Sequence, residues 1–147
     1  MTEVIIDKLT GENQIVQVDI IHDVGNSINK RIDIGQIEGG YIQGLGWLTT
    51  EEVSWKSDGI LTTHSPSTYK IPTAGETPFK FNVEIYDRGF NKEKVINRSK
   101  AVGEPPFMLA ISSFIAIKDA IYNANSNKGS NNLIAPATAE NILKSLN

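Results

Sequence analysis

The sequence predicts an α+β fold in a single domain over residues 1–147, and three observations support that prediction. Two segments near the N-terminus and one near residue 80 alternate apolar and polar residues, as half-buried strands do. Longer segments repeat their apolar residues every three or four positions, as helices do. The strand and helix patterns do not alternate strictly along the chain, which favours an α+β arrangement over a doubly wound parallel sheet.

The composition is typical of one soluble globular domain, with a net charge of -3 and 39% hydrophobic residues. The chain has no cysteine, which excludes disulfides, an iron–sulfur cluster and a thiol nucleophile within it. Its 14 basic side chains against 17 acidic ones give no excess positive charge for nucleic acid. Without a signal-peptide pattern, or an apolar run near the roughly 20 residues of a membrane helix, we expect a cytoplasmic protein with no membrane partner.

The first elements in chain order are a hairpin and a helix that contains glycines. Alternation over residues 4–9 and 15–22, with Gly11 between them, predicts two antiparallel strands. Residues 31–50 place apolar side chains at helical spacing and include five glycines. Each glycine weakens a free helix by about 1 kcal/mol relative to alanine, so we expect these glycines to allow close approach to another group.

The remaining elements follow from the same periodicity rules. The pattern predicts a hairpin over residues 52–63, a strand over 79–86, a short strand over 95–102, a long helix over 105–123 and a short C-terminal helix over 138–146. The long helix is apolar nearly all round, so we expect it to be largely buried. Between the last two helices, the residues numbered 125–132 predict a polar loop.

The segment Gly103-Glu104-Pro105-Pro106 carries the first candidate for chemistry. Pro105 restricts the backbone of Glu104 to extended conformations, which would hold the carboxylate on a stiff stem. An apolar helix beyond it suggests a carboxylate at the edge of a dry interior, where burial raises the pKa toward the range of a general base. The alternative is a carboxylate stabilised by a helix N-terminus, and the residues alone favour this second interpretation.

Several other motifs accompany this segment along the chain. They are Asp23-Val24-Gly25, Ile32-Asp33-Ile34-Gly35-Gln36, Gln43-Gly44-Leu45-Gly46, Pro66-Ser67-Thr68-Tyr69-Lys70-Ile71-Pro72 and Lys100-Ala101-Val102-Gly103-Glu104-Pro105-Pro106. With these motifs the chain resembles the molybdenum hydroxylase, or xanthine oxidase, family. Within that family it is similar to the C-terminal part of the molybdopterin-binding subunit of bacterial-type xanthine dehydrogenases.

The resemblance implies an enzyme, an oxidoreductase that uses a molybdenum-molybdopterin cofactor to hydroxylate a purine such as xanthine or hypoxanthine. It implies that Glu104 is the general base and that Gln36 hydrogen-bonds the pterin. Lys100, Val102 and Gly103 are expected to belong to the cofactor site as well. No residue of the chain is expected to ligate the metal, because in this family the pterin dithiolene holds the molybdenum.

The resemblance also implies partners, because the family's subunit is several times longer than this chain. The expected partners are the remainder of that subunit, the domains or subunits that carry iron–sulfur clusters and FAD, and, in a homo-oligomer, a second copy of the chain. The isolated chain is then expected to be inactive. An alternative is a non-catalytic assembly module that keeps the fold; the retention of Gln36 and Glu104 with their flanking residues favours the enzyme.

Overall fold

The computed structural model describes residues 1–125 and 132–146, and it confirms the α+β class. The elements are β1 (Thr2–Ile6), β2 (Asn13–His22), α1 (Lys30–Thr49), β3 (Lys80–Ile85), α2 (Ile111–Ala124) and α3 (Ala139–Leu146). Short 3₁₀-helices cover Ala74–Glu76, Ile96–Arg98 and Pro105–Ala110. Most of the predicted polar loop over residues 125–132 lies outside the described residues.

The predicted N-terminal hairpin is confirmed. β1 and β2 pair antiparallel, with Thr2 opposite Val18 and Ile6 opposite Asn13. Gly11, in the connection between them, has a φ of +76°, and a Cβ on it would lie 2.2 Å from the carbonyl oxygen of Ala139. Glycine is therefore required there both by the backbone conformation and by the contact with the start of α3.

The predicted strand near residue 80 is also confirmed, and it pairs with β2 in parallel. Gln17 lies opposite Lys80 and His22 opposite Ile85, which gives the strand order β1-β2-β3. Parallel neighbours need a long crossover connection, and α1 lies within the one between β2 and β3. This topology brings α1 next to the sheet.

The core lies between the sheet and the helices in two clusters. The first cluster joins β2 to α1 through buried side chains of Val18, Ile20, Ile37, Tyr41 and Leu45, among others. The second joins α2 to α3 and the segment before α3 through Ile117, Ile121, Leu133, Ala137 and Ile142. These clusters position α1 and the chain leading into α2, which together carry the candidate site.

Only the turn of the predicted hairpin over residues 52–63 is formed as expected. Gly59 has a φ of +84°, as a tight turn requires. Beyond the turn, however, the pairing amounts to a single bridge between Trp55 and Leu61 rather than two strands. Trp55 is exposed, as are all the residues from 52 to 60, so the first side of this short hairpin has no buried face to stabilise longer pairing.

The predicted strand over residues 95–102 is wrong. Ile96–Arg98 form a 3₁₀ turn in which Asn97 and Arg98 both have a φ of +52°. The backbone carbonyl of Arg98 accepts a hydrogen bond from the Asn26 amide at 3.2 Å. The guanidinium of Arg98 lies 5.0 Å from the ring centre of Phe90. These tertiary contacts hold a backbone that the local sequence does not favour.

The predicted long helix begins with the 3₁₀-helix Pro105–Ala110 and continues as α2. Its predicted burial is correct for one face only: Ile117 is fully buried, whereas Ile111 and Ile115 are 44% and 55% exposed. By length and composition alone, Pro105–Ala124 meets the criterion for a membrane span, contrary to our expectation, although core helices of soluble proteins also meet it. α2 packs against β1, and the predicted C-terminal helix is confirmed as α3.

Candidate active site

Glu104 lies at the start of the 3₁₀-helix Pro105–Ala110, directly after an exposed glycine, Gly103. The predicted extended backbone is wrong, because Glu104 has φ -92° and ψ -39°, in the right-handed helical region. The amide of Phe107 donates a hydrogen bond to the Glu104 carbonyl at 3.0 Å. This bond closes the first helical turn and stabilises a conformation that a following proline normally disfavours.

The Glu104 carboxylate does not cap this helix, since its side chain makes no capping hydrogen bond. Within residues 1–125 and 132–146 it also has no hydrogen-bond or ion-pair partner. The capping interpretation therefore has no contact to support it. The carboxylate is exposed, so this part of the chain does not provide the dry surroundings that the sequence suggested.

Gln36 is brought to the same place by α1. Asn29 caps this helix, and its side-chain oxygen accepts hydrogen bonds from the amides of Arg31 at 3.1 Å and Ile32 at 3.3 Å. The exposed Gln36 follows within the second turn, and its Oε1 lies 3.4 Å from the position of a Cβ on Gly103. The fold thus places the Gln36 amide beside the residue that precedes Glu104.

The helix glycines explain how α1 comes so close to this segment. A Cβ on Gly40 would lie 2.9 Å from the Gly103 carbonyl oxygen, and one on Gly44 would lie 2.2 Å from that of Phe107. A Cβ on Gly35 or Gly39 would meet no atom within 4 Å, so these two residues leave the helix surface open beside Gln36. The expected close approach therefore occurs within the chain at Gly40 and Gly44.

Lys100 lies before Glu104 and is engaged in an ion pair with Asp23. Its backbone amide also donates to the Val24 carbonyl at 2.8 Å, and the Gly25 amide donates to Asp23 Oδ1 at 2.8 Å. The hydrogen bond from Lys100, followed by that from Gly25, lowers the pKa of the Asp23 carboxyl below its usual value. The Lys100 ammonium thus anchors the segment that leads to Glu104.

This anchor leads to a stability prediction. We expect Asp23→Asn to lower the free energy of unfolding of the chain by about 1 kcal/mol or less at pH 7, because both partners are partly exposed to solvent. The folded-state pKa of Asp23 is lowered, so its contribution is present above the unfolded-state pKa of about 3.9 and is lost as pH falls through the folded-state value. Urea unfolding at pH 7 and near pH 3 measures this, and an equal loss at both pH values would contradict it.

Val102 and Gly103 offer mainly their backbone to a ligand. The Val102 side chain is half-buried and packs against the first core cluster. Within the described ranges, the amide groups of Val102 and Gly103 have no hydrogen-bond acceptor. These two backbone donors lie one and two residues before Glu104 in the chain.

This set of groups fits an organic cofactor with a hydrogen-bonding edge. A carboxamide donates and accepts hydrogen bonds, and free backbone amides donate to ring nitrogens or oxygens. The carboxamide of Gln36 and the backbone amides of Val102 and Gly103 are of the kind that hydrogen-bond the polar edge of an organic cofactor such as a pterin.

Asp23 was not among the site residues that the sequence predicted, and for Gly40 and Gly44 the sequence predicted a close approach but not the group that is approached. The signal for the two glycines is their spacing of four residues, which places both on one face of α1. The signal for Asp23 is weaker, because its partner Lys100 lies far along the chain and no periodicity connects them.

Comparisons with known proteins identify the family to which the chain belongs. Residues 1–78 match a family model described as "Molybdopterin cofactor-binding domain". The chain is 49% identical over 146 residues to xanthine dehydrogenase/oxidase of Rattus norvegicus, and the match covers 96% of this chain but only 11% of the rat protein. The chain therefore spans about a tenth of the length of that relative.

Solved structures show the same fold. The crystal structure of a Cu,Mo-CO dehydrogenase matches with a TM-score of 0.81 and 26% identity, over 95% of this chain and 17% of that one. Quinoline 2-oxidoreductase from Pseudomonas putida 86 matches with a TM-score of 0.81 and 27% identity, over 96% of this chain and 17% of that one. Because this family match covers more than half of the chain, the chain belongs to the molybdopterin cofactor-binding domain family.

Proposed function

We propose that this chain forms part of the active site of a molybdenum-dependent hydroxylase that oxidises a purine such as xanthine or hypoxanthine. The observation that carries the proposal is the position of Gln36 Oε1, 3.4 Å from where a Cβ on Gly103 would lie. Gly103 directly precedes Glu104, whose carboxylate has no partner within residues 1–125 and 132–146. Similarity to proteins named xanthine dehydrogenase supports the purine substrate class.

Each of these residues has a defined part in the proposal. Gln36 and the amides of Val102 and Gly103 bind the polar edge of the pterin and orient it. Glu104 accepts a proton at its carboxylate. Within the described residues, this carboxylate forms no ion pair that would compete with the proton. Lys100 holds the backbone before Glu104 through Asp23. When bound, the molybdenum supplies the two-electron redox chemistry of the hydroxylation.

The proposal requires further parts of a longer protein. The chain spans 11% of the rat relative, so we propose that the remainder of the subunit completes the cofactor site and buries Glu104. Burial there would raise the pKa of the carboxyl toward neutrality, as a general base requires. Iron–sulfur and FAD groups are proposed to lie on other domains or subunits, the enzyme to be cytoplasmic, and the isolated chain to be inactive.

Reconstitution tests this function. The chain is expressed with the rest of the subunit, and molybdenum content is measured together with the oxidation of xanthine, hypoxanthine and an aldehyde. We expect molybdenum incorporation and oxidation of the purines, with neither in the isolated chain. A complex that forms and incorporates no molybdenum would instead support the non-catalytic assembly module.

The exposed apolar side chains predict how the isolated chain behaves. Five of them lie on α1, on the 3₁₀-helix Pro105–Ala110 and on the first half of α2: Ile32, Trp47, Met108, Ile111 and Ile115. Such surfaces mark interaction sites and promote self-association. We therefore expect multi-angle light scattering to show species larger than a monomer as concentration rises.

A charged variant provides the control for this prediction. The double substitution Ile111→Lys and Ile115→Lys places charges on the exposed face of α2 and should shift the chain toward the monomer. A strictly monomeric wild-type chain at high concentration would contradict the prediction.

A further inference from the structure

We infer that Gly44 is a positioning residue that sets the spacing between Gln36 and Glu104, an inference that rests on the proposed function. Gly44 lies inside α1, where a glycine costs about 1 kcal/mol relative to alanine. Its φ is not in the left-handed region, so the backbone conformation does not require glycine. The reason for glycine must therefore be the contact that it makes.

That contact leaves no room for a side chain. A Cβ on Gly44 would lie 2.2 Å from the carbonyl oxygen of Phe107 and 2.9 Å from the Cβ of Ala110. Ala110 is fully buried, and both residues belong to the 3₁₀-helix that begins after Glu104. A backbone carbonyl cannot rotate away as a flexible side chain can. A methyl group at position 44 must therefore push this helix away from α1.

The displacement would reach Glu104. The Phe107 amide donates to the Glu104 carbonyl at 3.0 Å, so movement of Phe107 pulls on the Glu104 backbone. On the other side, Lys100 is held by Val24 and Asp23 and resists movement. The change is therefore taken up between residues 101 and 107, whereas Gln36 stays with α1. The distance between the Gln36 amide and the Glu104 carboxylate depends on Gly44.

Gly44→Ala in the assembled enzyme tests this inference. A displacement near 1 Å should lower turnover per bound molybdenum by about 100-fold. The amide of Phe107 should exchange its hydrogen faster, because its bond to Glu104 is strained, and this can be measured without any cofactor. A merely structural role would reduce the yield of loaded enzyme and its thermal stability but leave turnover per molybdenum unchanged.

Two further variants keep the test decisive. Gly75→Ala makes the same chemical change where the nearest atom, Thr73 Oγ1, would be 3.8 Å away, and it should change neither turnover nor exchange at Phe107. Ala110→Ser adds a single atom to the Gly44 contact and should lower turnover per molybdenum by less than Gly44→Ala does. It carries the test if Gly44→Ala does not fold.

The inference is overturned if folded Gly44→Ala has wild-type turnover per molybdenum. If Gly44→Ala does not fold, wild-type turnover per molybdenum in Ala110→Ser overturns it. Failure of the proposed function is seen separately, as wild-type turnover in Glu104→Gln. Exchange at Phe107 reports on the Gly44 contact independently of either result. Faster exchange with reduced turnover in Gly44→Ala, and neither in Gly75→Ala, supports the spacing role.

Discussion

Glu104→Gln should lower the turnover of the assembled enzyme by about 100-fold or more, because glutamine keeps the size of the side chain but cannot accept a proton. Folding and molybdenum content should hardly change. The carboxylate makes no capping hydrogen bond and has no ion-pair partner in the described part of the chain, so its replacement removes no stabilising contact seen in the structure.

Turnover per molybdenum and its pH profile should be measured on one preparation of the enzyme. If Glu104 is the base, the acidic limb of the wild-type profile disappears together with the carboxylate. Glu52→Gln, an exposed glutamate after α1, is the matched control and should retain wild-type turnover. A Glu104→Gln enzyme with wild-type turnover and the same acidic limb would show that Glu104 is not the base.

Gln36→Leu should weaken retention of the pterin by about 1 to 3 kcal/mol, because hydrogen-bonding groups on the cofactor then lose their partner. Leucine has a similar size and suits an exposed position in a helix, so α1 should remain folded. Turnover per bound cofactor should fall much less than in Glu104→Gln, since Gln36 binds the cofactor and moves no proton.

Molybdenum content after extensive dialysis measures this loss of retention. Gln14→Leu replaces an exposed glutamine on β2, outside the site, and should keep the wild-type content. Unchanged molybdenum in Gln36→Leu would refute the assignment of Gln36. If both variants lose molybdenum, the loss is a general effect of replacing glutamine by leucine, and this result would also contradict the assignment of Gln36.

Local sequence patterns predicted most elements of this fold. The hairpin β1–β2, the helices α1 and α3 and the strand β3 all have periodicities that extend over whole elements, and the structure confirms them. The short strand predicted over residues 95–102 is wrong, because Asn97 and Arg98 adopt left-handed conformations, and Arg98 is held by contacts with Asn26 and Phe90. Such a short segment carries too little periodicity to reveal contacts with distant residues.

The candidate site shows the same division. Motifs in the sequence pointed to Gln36 and Glu104, and the family match agrees with the resemblance on which their roles rest. The sequence did not reveal that Lys100 is paired with Asp23, or that the Glu104 backbone is helical. Both depend on contacts that form only after the chain has folded.

By itself, the sequence determined the α+β class and the family, and it pointed to the two residues that we propose bind the pterin and accept a proton. Tertiary structure alone decided the parallel pairing of β3 with β2, the single buried face of α2 and the contact of Gly44 with Phe107. Periodicity is a local property because it reflects which side chains of one element face inward. Register, burial against a particular neighbour and the spacing of a site join residues distant in sequence, so only packing in three dimensions decides them.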